Sequence, residues 1–185
     1  MNLKEQNYLT KLLEKYSKKS SNKKMRYALS PNSFSNKNII EGIKVLLSKR
    51  ITMGKITKRF EKEFAKFIGS KYALMVNSGS SANLLATFAM VNPMKKNRLK
   101  SGDECLIPSL CWSTSLWPII QAGLKPKFVD VDPETLNISL KDLEKKINKK
   151  TKAIVLVHVL GNSVNMKKLK RIINKYKIKI IFLII

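Results

Sequence analysis

Tyr72-Ala73-Leu74-Met75-Val76-Asn77-Ser78-Gly79-Ser80-Ser81-Ala82-Asn83-Leu84-Leu85 holds a strand, a tight turn and the start of a helix in one stretch. Tyr72–Val76 is short and apolar, which predicts a strand. Asn77–Ser81 contains only residues that favour turns and helix starts. From Ala82 to Val91 the spacing becomes helical, with Leu85, Phe88 and Ala89 on one side.

The same rhythm continues downstream. Glu104–Ile107 predicts a second strand, Pro108–Ser113 a loop, and the residues up to about Gln121 a helix. Pro126–Val131 predicts a third strand, closed by Asp132-Pro133. Ser139 followed by Asp142 resembles a capping box opening a helix to about Ile147. Thr151–His158 predicts a fourth strand. Met166, Leu169, Ile172, Ile173 and Tyr176 mark one more helix, and Lys177–Ile185 a fifth strand. Strands alternating with helices in units of roughly 25–30 residues specify an α/β domain with a mostly parallel sheet. Ala153–Val157 and Ile180–Ile185 are apolar on both faces, as a sheet covered by helices on both sides requires.

Upstream, residues 1–34 form a basic leader. Leu3, Leu9, Leu12 and Leu13 have loose helical spacing, Lys18–Lys24 is polar, and Pro31-Asn32-Ser33 marks a turn or helix entry. Ile39, Ile40, Ile43, Leu46 and Leu47 lie on one face of an amphipathic helix, which Thr52-Met53-Gly54 ends. Phe60, Phe64, Phe67 and Ile68 mark a second helix, stopped by Gly69. Two domains are therefore expected: the leader at 1–34 and an incomplete ligand-binding domain at 35–185.

Composition narrows the function classes. At 185 residues with 44% hydrophobic content, the chain is long and apolar enough to build a core. Cys105 and Cys111 form neither a metal-ligand pattern nor a disulfide framework, which fits a reducing cytoplasm. The longest apolar run, Ile180–Ile185, is far short of the ~20 residues a membrane span needs. The net charge of +25 gives any phosphate-rich polymer a salt-dependent attraction. The lysines are spread along the whole chain, however, and no zinc finger, basic zipper or RNA-binding aromatic signature accompanies them, so no specific nucleic-acid partner is expected.

Two places invite chemistry. In Asn77–Ser81, small residues let a ligand approach the backbone. The amides of the helix start, with the hydroxyls of Ser80 and Ser81, suit a phosphate; a turn that simply caps the helix suits the same residues. Trp112, in Pro108-Ser109-Leu110-Cys111-Trp112-Ser113-Thr114, follows a strand. Its position fits a core residue, or an aromatic that stacks on a planar ring at the carboxyl end of the sheet. His158, the single histidine, ends the fourth strand with no acidic or thiol cluster nearby, and reads as a hydrogen-bonded structural residue. Asp130 and Asp132 read as turn formers.

Several segments, in order, carry a family resemblance: Phe60-Glu61-Lys62-Glu63-Phe64-Ala65, Val76–Leu85, Ser101-Gly102-Asp103-Glu104, Gln121-Ala122-Gly123-Leu124-Lys125-Pro126 and Phe128-Val129-Asp130-Val131-Asp132. Thr151-Lys152-Ala153-Ile154 and His158-Val159-Leu160-Gly161-Asn162 extend it. From about Ser35 to Ile181 the chain resembles the DegT/StrS family, the nucleotide-sugar aminotransferases that depend on pyridoxal 5'-phosphate (PLP). The resemblance implies the large domain of a fold type I PLP-dependent transferase. It also implies that Gly79, Ser80 and Ser81 hold the cofactor phosphate and that Trp112 stacks on the pyridine ring. Its implied partners are a nucleotide-linked keto-sugar, an amino-acid donor and a second copy in a homodimer, and its implied location is the cytoplasm.

Ser78–Leu85 and the insertion around Asn92–Lys100 also resemble a branch that includes PLP-dependent sugar 3-dehydratases, which carry histidine in place of the Schiff-base lysine. One departure stands out. Phe182 and Leu183 occupy the positions where the family has Glu-Asp, whose Asp pairs with the pyridine nitrogen, and no lysine here matches the Schiff-base context. The expectation is a frameshift or premature stop near codon 182 and a chain without activity of its own.

Overall fold

The computed structural model describes residues 1–20 and 34–183. The predicted turn at Pro31–Ser33, most of the polar run at Lys18–Lys24 and the last two residues of the fifth predicted strand lie outside the described residues. The chain forms two compact units, Met1–Met75 and Val76–Ile185.

The first unit is helical: α1 (Leu3–Ser20), α2 (Asn36–Leu47) and α3 (Lys55–Ile68). Ser35 caps α2 through a reciprocal box, its hydroxyl accepting from the Asn38 amide while Asn38 accepts from the Ser35 amide at 2.9 Å. Gly69 ends α3 in the left-handed conformation (φ 69°), the backbone state glycine reaches without a side-chain penalty. Within α3 the rings of Phe60 and Phe64 stack at 5.5 Å.

The second unit is an α/β layer structure. Its elements in order are α4 (Gly79–Val91), β1 (Glu104–Pro108), α5 (Ser113–Gln121), β2 (Lys125–Val129), α6 (Leu140–Lys146), β3 (Thr151–Val157), α7 (Met166–Tyr176) and β4 (Lys179–Leu183). The sheet has the order β2-β1-β3-β4, and every pair is parallel. Leu106 of β1 aligns with Lys127 of β2 and Ile154 of β3. Between α5 and β2, Gly123 takes φ 75°, and a Cβ there would stand 3.2 Å from the Ser101 hydroxyl, so glycine closes this turn.

Strand alternation sends successive side chains to opposite helix layers. Leu106, Ile154 and Leu156 pack with Leu143 of α6 and with Leu169 and Ile172 of α7. Cys105, Ile107, Ala153 and Val155 pack with Ile119 of α5, flanked by Met90 and Val91 of α4. Burial of each large aliphatic side chain contributes about 1.5–3 kcal/mol. The predicted α/β class, with helices on both faces of a parallel sheet, is the observed one.

Three local expectations are corrected. Tyr72–Val76 is not a strand: no described strand offers it a ladder, and Tyr72, Leu74 and Met75 are exposed. In α4 the buried positions are Asn83 and Thr87, while Leu85 and Phe88 face outward. Ser139 caps α6 by accepting from the Asp142 amide, but the Asp142 carboxylate turns to the Asp130 amide instead of closing the box.

Candidate functional site

The strand order places a switch point beside β1. One crossover leaves β1 for β2 and the next returns past β1 to β3, so α5 and α6 cover opposite faces. In open α/β sheets the carboxyl ends of the strands at such a point form a crevice. The loop Ser109–Trp112 and His158 stand at the carboxyl ends of β1 and β3.

The Ser78–Ser81 turn forms the start of α4. Ser78 is the N-cap in extended conformation, and its hydroxyl accepts from the Ser81 amide at 3.2 Å and donates to the Ser81 hydroxyl at 3.1 Å. Its carbonyl accepts from Ala82 at 3.0 Å. The amides of Gly79 and Ser80 and the Ser80 hydroxyl have no partner among the described residues. These donors sit at the positive end of a 13-residue helix with no acidic residue in its first turn. A Cβ on Gly79 would meet nothing within 4 Å, so the turn is open on that side. Ser78 thus caps the helix, and Gly79 and Ser80 keep donors without a partner among the described residues.

Trp112 is the N-cap of α5 by backbone only, with its carbonyl accepting from Ser115 at 2.9 Å. It is 67% exposed, so it is not a core residue. Two residues on, Thr114 lines an open groove of about 260 Å³ with Ser80, Ser81, Leu84, Trp117, Pro118 and Gln121. The fold therefore brings the Ser80/Ser81 turn to the first turn of α5, which Trp112 begins. Thr114 stands in the quoted loop, and only the packing of α4 on α5 reveals its place in the groove.

Other candidates have structural partners. His158 Nδ1 accepts from the Val164 amide at 3.2 Å. Asp132 accepts from the amides of Glu134 and Thr135, each at 3.0 Å, shaping a turn. Burial pushes the Cys105 thiol up to about 12 and raises that of Cys111 as well; both are free thiols and weak nucleophiles. Among the described residues no cluster of His, Cys, Asp or Glu could hold a metal, and no helix is long and apolar enough to cross a membrane.

The chain is similar to known proteins over most of its length. Residues 34–182 match the DegT/DnrJ/EryC1/StrS aminotransferase family. GDP-4-keto-6-deoxy-D-mannose 3-dehydratase of Escherichia coli O55:H7 is 50% identical over 129 residues, 70% of this chain and 33% of that protein. GDP-perosamine synthase of Vibrio cholerae is 34% identical over 128 residues, 69% of this chain and 33% of that protein. The solved E. coli GDP-4-keto-6-deoxy-D-mannose-3-dehydratase with bound hydrated PLP superposes with TM-score 0.79 at 42% identity, over 84% of this chain and 40% of that one. The chain spans about a third of the length of the curated relatives it matches. With its matched segment, parallel sheet and helix layers in agreement, the chain belongs to the DegT/DnrJ/EryC1/StrS aminotransferase family.

Proposed function

We propose that this chain is the phosphate-holding part of a PLP-dependent nucleotide-sugar enzyme, and that the whole enzyme removes the 3-hydroxyl of a GDP-linked 4-keto-6-deoxy sugar. The observation that supports this reaction is the order of identities: 50%, 43% and 41% to sugar 3-dehydratases, against 34% to a GDP-perosamine synthase. The residues present fit the cofactor at its phosphate end. Free amides at Gly79 and Ser80, the Ser80 hydroxyl and the α4 dipole match a dianion, and exposed Trp112 offers an unpaired ring face.

When bound, PLP supplies an electron sink. The chain's own residues bind and orient. Gly79 and Ser80 would donate to the phosphate, Ser78 and Ser81 hold the turn in shape, and Trp112 would cover one face of the ring. Residues 1–185 contain no match for the family's pyridine-nitrogen acid or Schiff-base lysine. Amino transfer is the second reading, favoured by the family description and by a solved aminotransferase from Psychrobacter cryohalolentis at 28% identity and TM-score 0.72.

Sequencing the gene beyond codon 185 and reading all three frames tests the choice. A continuation with an acidic pair followed by histidine in the active-site context supports dehydration. Lysine in that place overturns it in favour of amino transfer. No such continuation in any frame removes the enzyme reading.

A further inference from the structure

Helix α5 carries Pro118 in its interior. Proline has no amide hydrogen, so the carbonyl of Thr114, four residues earlier, loses its helical donor. A side chain from another helix supplies the replacement: Asn83 Nδ2 of α4 donates to the Thr114 carbonyl at 3.4 Å. Asn83 is buried, together with Thr87 of α4 and Ser115 of α5. Thr87 donates to the Asn83 carbonyl at 2.9 Å, and Ser115 Oγ has no partner among the described residues.

This contact is polar although α4 has large apolar residues available; Met90 and Val91 pack beside Ile119 further along the seam, while Leu85 and Phe88 stand on the exposed side of α4. Burying polar groups costs more than burying aliphatic ones. What a single directional contact adds is register, because apolar surfaces can slide and a hydrogen bond to one carbonyl cannot. Both ends of the contact lie next to the site. Asn83 is about one turn after Ser80, and Thr114 is two residues after Trp112.

We propose that Pro118 and Asn83 are a matched pair of positioning residues: Pro118 exposes the Thr114 carbonyl, Asn83 docks on it, and the contact fixes the spacing between the Gly79–Ser81 phosphate turn and Trp112. The inference rests on the proposed binding reading and adds a device that sets its geometry. A ligand with both a phosphate and a ring needs that spacing, whereas inorganic phosphate does not.

The test uses pyridoxamine 5'-phosphate (PMP), whose amine cannot condense with lysines, and inorganic phosphate, titrated into the 185-residue chain. In Asn83→Ala, PMP affinity is expected to fall about three- to tenfold, the range of one lost hydrogen bond, with inorganic phosphate affinity unchanged. Asn83→Ser keeps a small polar group but cannot reach Thr114, and it guards against a folding defect in the alanine variant. In a Pro118→Ala background the helical donor returns, so Asn83→Ala is expected to add less than about twofold. An equal effect of Asn83→Ala in both backgrounds overturns the pairing. A parallel fall for PMP and inorganic phosphate also overturns it, since the seam then only holds α4 folded. If the unsubstituted chain binds no PMP, the binding reading falls and the pairing with it. If it binds PMP and Asn83→Ala is neutral, only the pairing falls.

Discussion

The carboxylate of Asp142, in the first turn of α6, accepts a hydrogen bond from the backbone amide of Asp130 at 2.8 Å, just past the end of β2. It also pairs with Lys146 at 2.8 Å. One side chain thus fastens the α6 entry to the strand end, with Asp130 donating through its backbone while its own carboxylate accepts from the Val131 amide at 2.9 Å. The Lys146 contact, and after it the Asp130 amide, hold the Asp142 carboxyl below the usual carboxylate range.

A group whose folded pKa is depressed stabilises the fold above its unfolded value, and that stability is lost as pH falls through the folded value. Asp142→Ala is therefore expected to lower unfolding stability at pH 7 by about 1 kcal/mol, the scale of one charge-assisted bond to the backbone. The gap to the unsubstituted chain should narrow as pH drops below about 4, the ordinary aspartate value. Urea midpoints at pH 7 and pH 3 check this; a gap that is constant with pH contradicts it.

Ser115 Oγ is buried without a partner among the described residues. Removing an unsatisfied buried hydroxyl relieves its desolvation cost. Ser115→Ala is expected to stabilise the chain by about 1 kcal/mol in chemical denaturation. A loss of stability would show that the hydroxyl has a hydrogen-bond partner in solution.

His158 holds the loop after β3 by accepting the Val164 amide. Asn137, buried beside it, accepts the Val159 amide at 3.2 Å and donates to the Asn162 carbonyl at 3.1 Å. His158→Ala leaves a donor unmet and is expected to cost about 1 kcal/mol, with amide exchange faster at Val164. A neutral substitution with unchanged exchange at Val164 contradicts the structural role.

The layer plan was legible in the sequence because doubly buried strands such as Ala153–Val157 are apolar without alternation, and caps such as Ser78 and Gly69 mark helix ends by local chemistry. Tyr72–Val76 misled for a physical reason. Its composition fits a strand, but a strand exists only where a neighbour supplies the ladder, and that information is not local. The outward turn of Leu85 and Phe88 failed for a similar reason: apolar spacing names a face, and tertiary packing chose the Asn83/Thr87 face to meet α5. At the site, turn chemistry pointed to Gly79, Ser80 and Ser81. Thr114 and Asn83 became visible only when α4 and α5 were set side by side.

Ser80 separates binding from folding most cleanly, because its hydroxyl has no partner among the described residues while Ser78 and Ser81 carry the cap. The most direct measurement is a PMP titration of the 185-residue chain, followed by tryptophan fluorescence in a Trp117→Phe background so that Trp112 alone reports. Salt must be near physiological, since a net charge of +25 attracts any phosphate at low ionic strength. The expected result is saturable quenching that inorganic phosphate competes away, that pyridoxamine without phosphate does not reproduce, and that Ser80→Ala weakens about three- to tenfold with an unchanged unfolding midpoint. Quenching that is absent, or equal for pyridoxamine and for Ser80→Ala, would show that the turn and Trp112 do not form a phosphate-and-ring site.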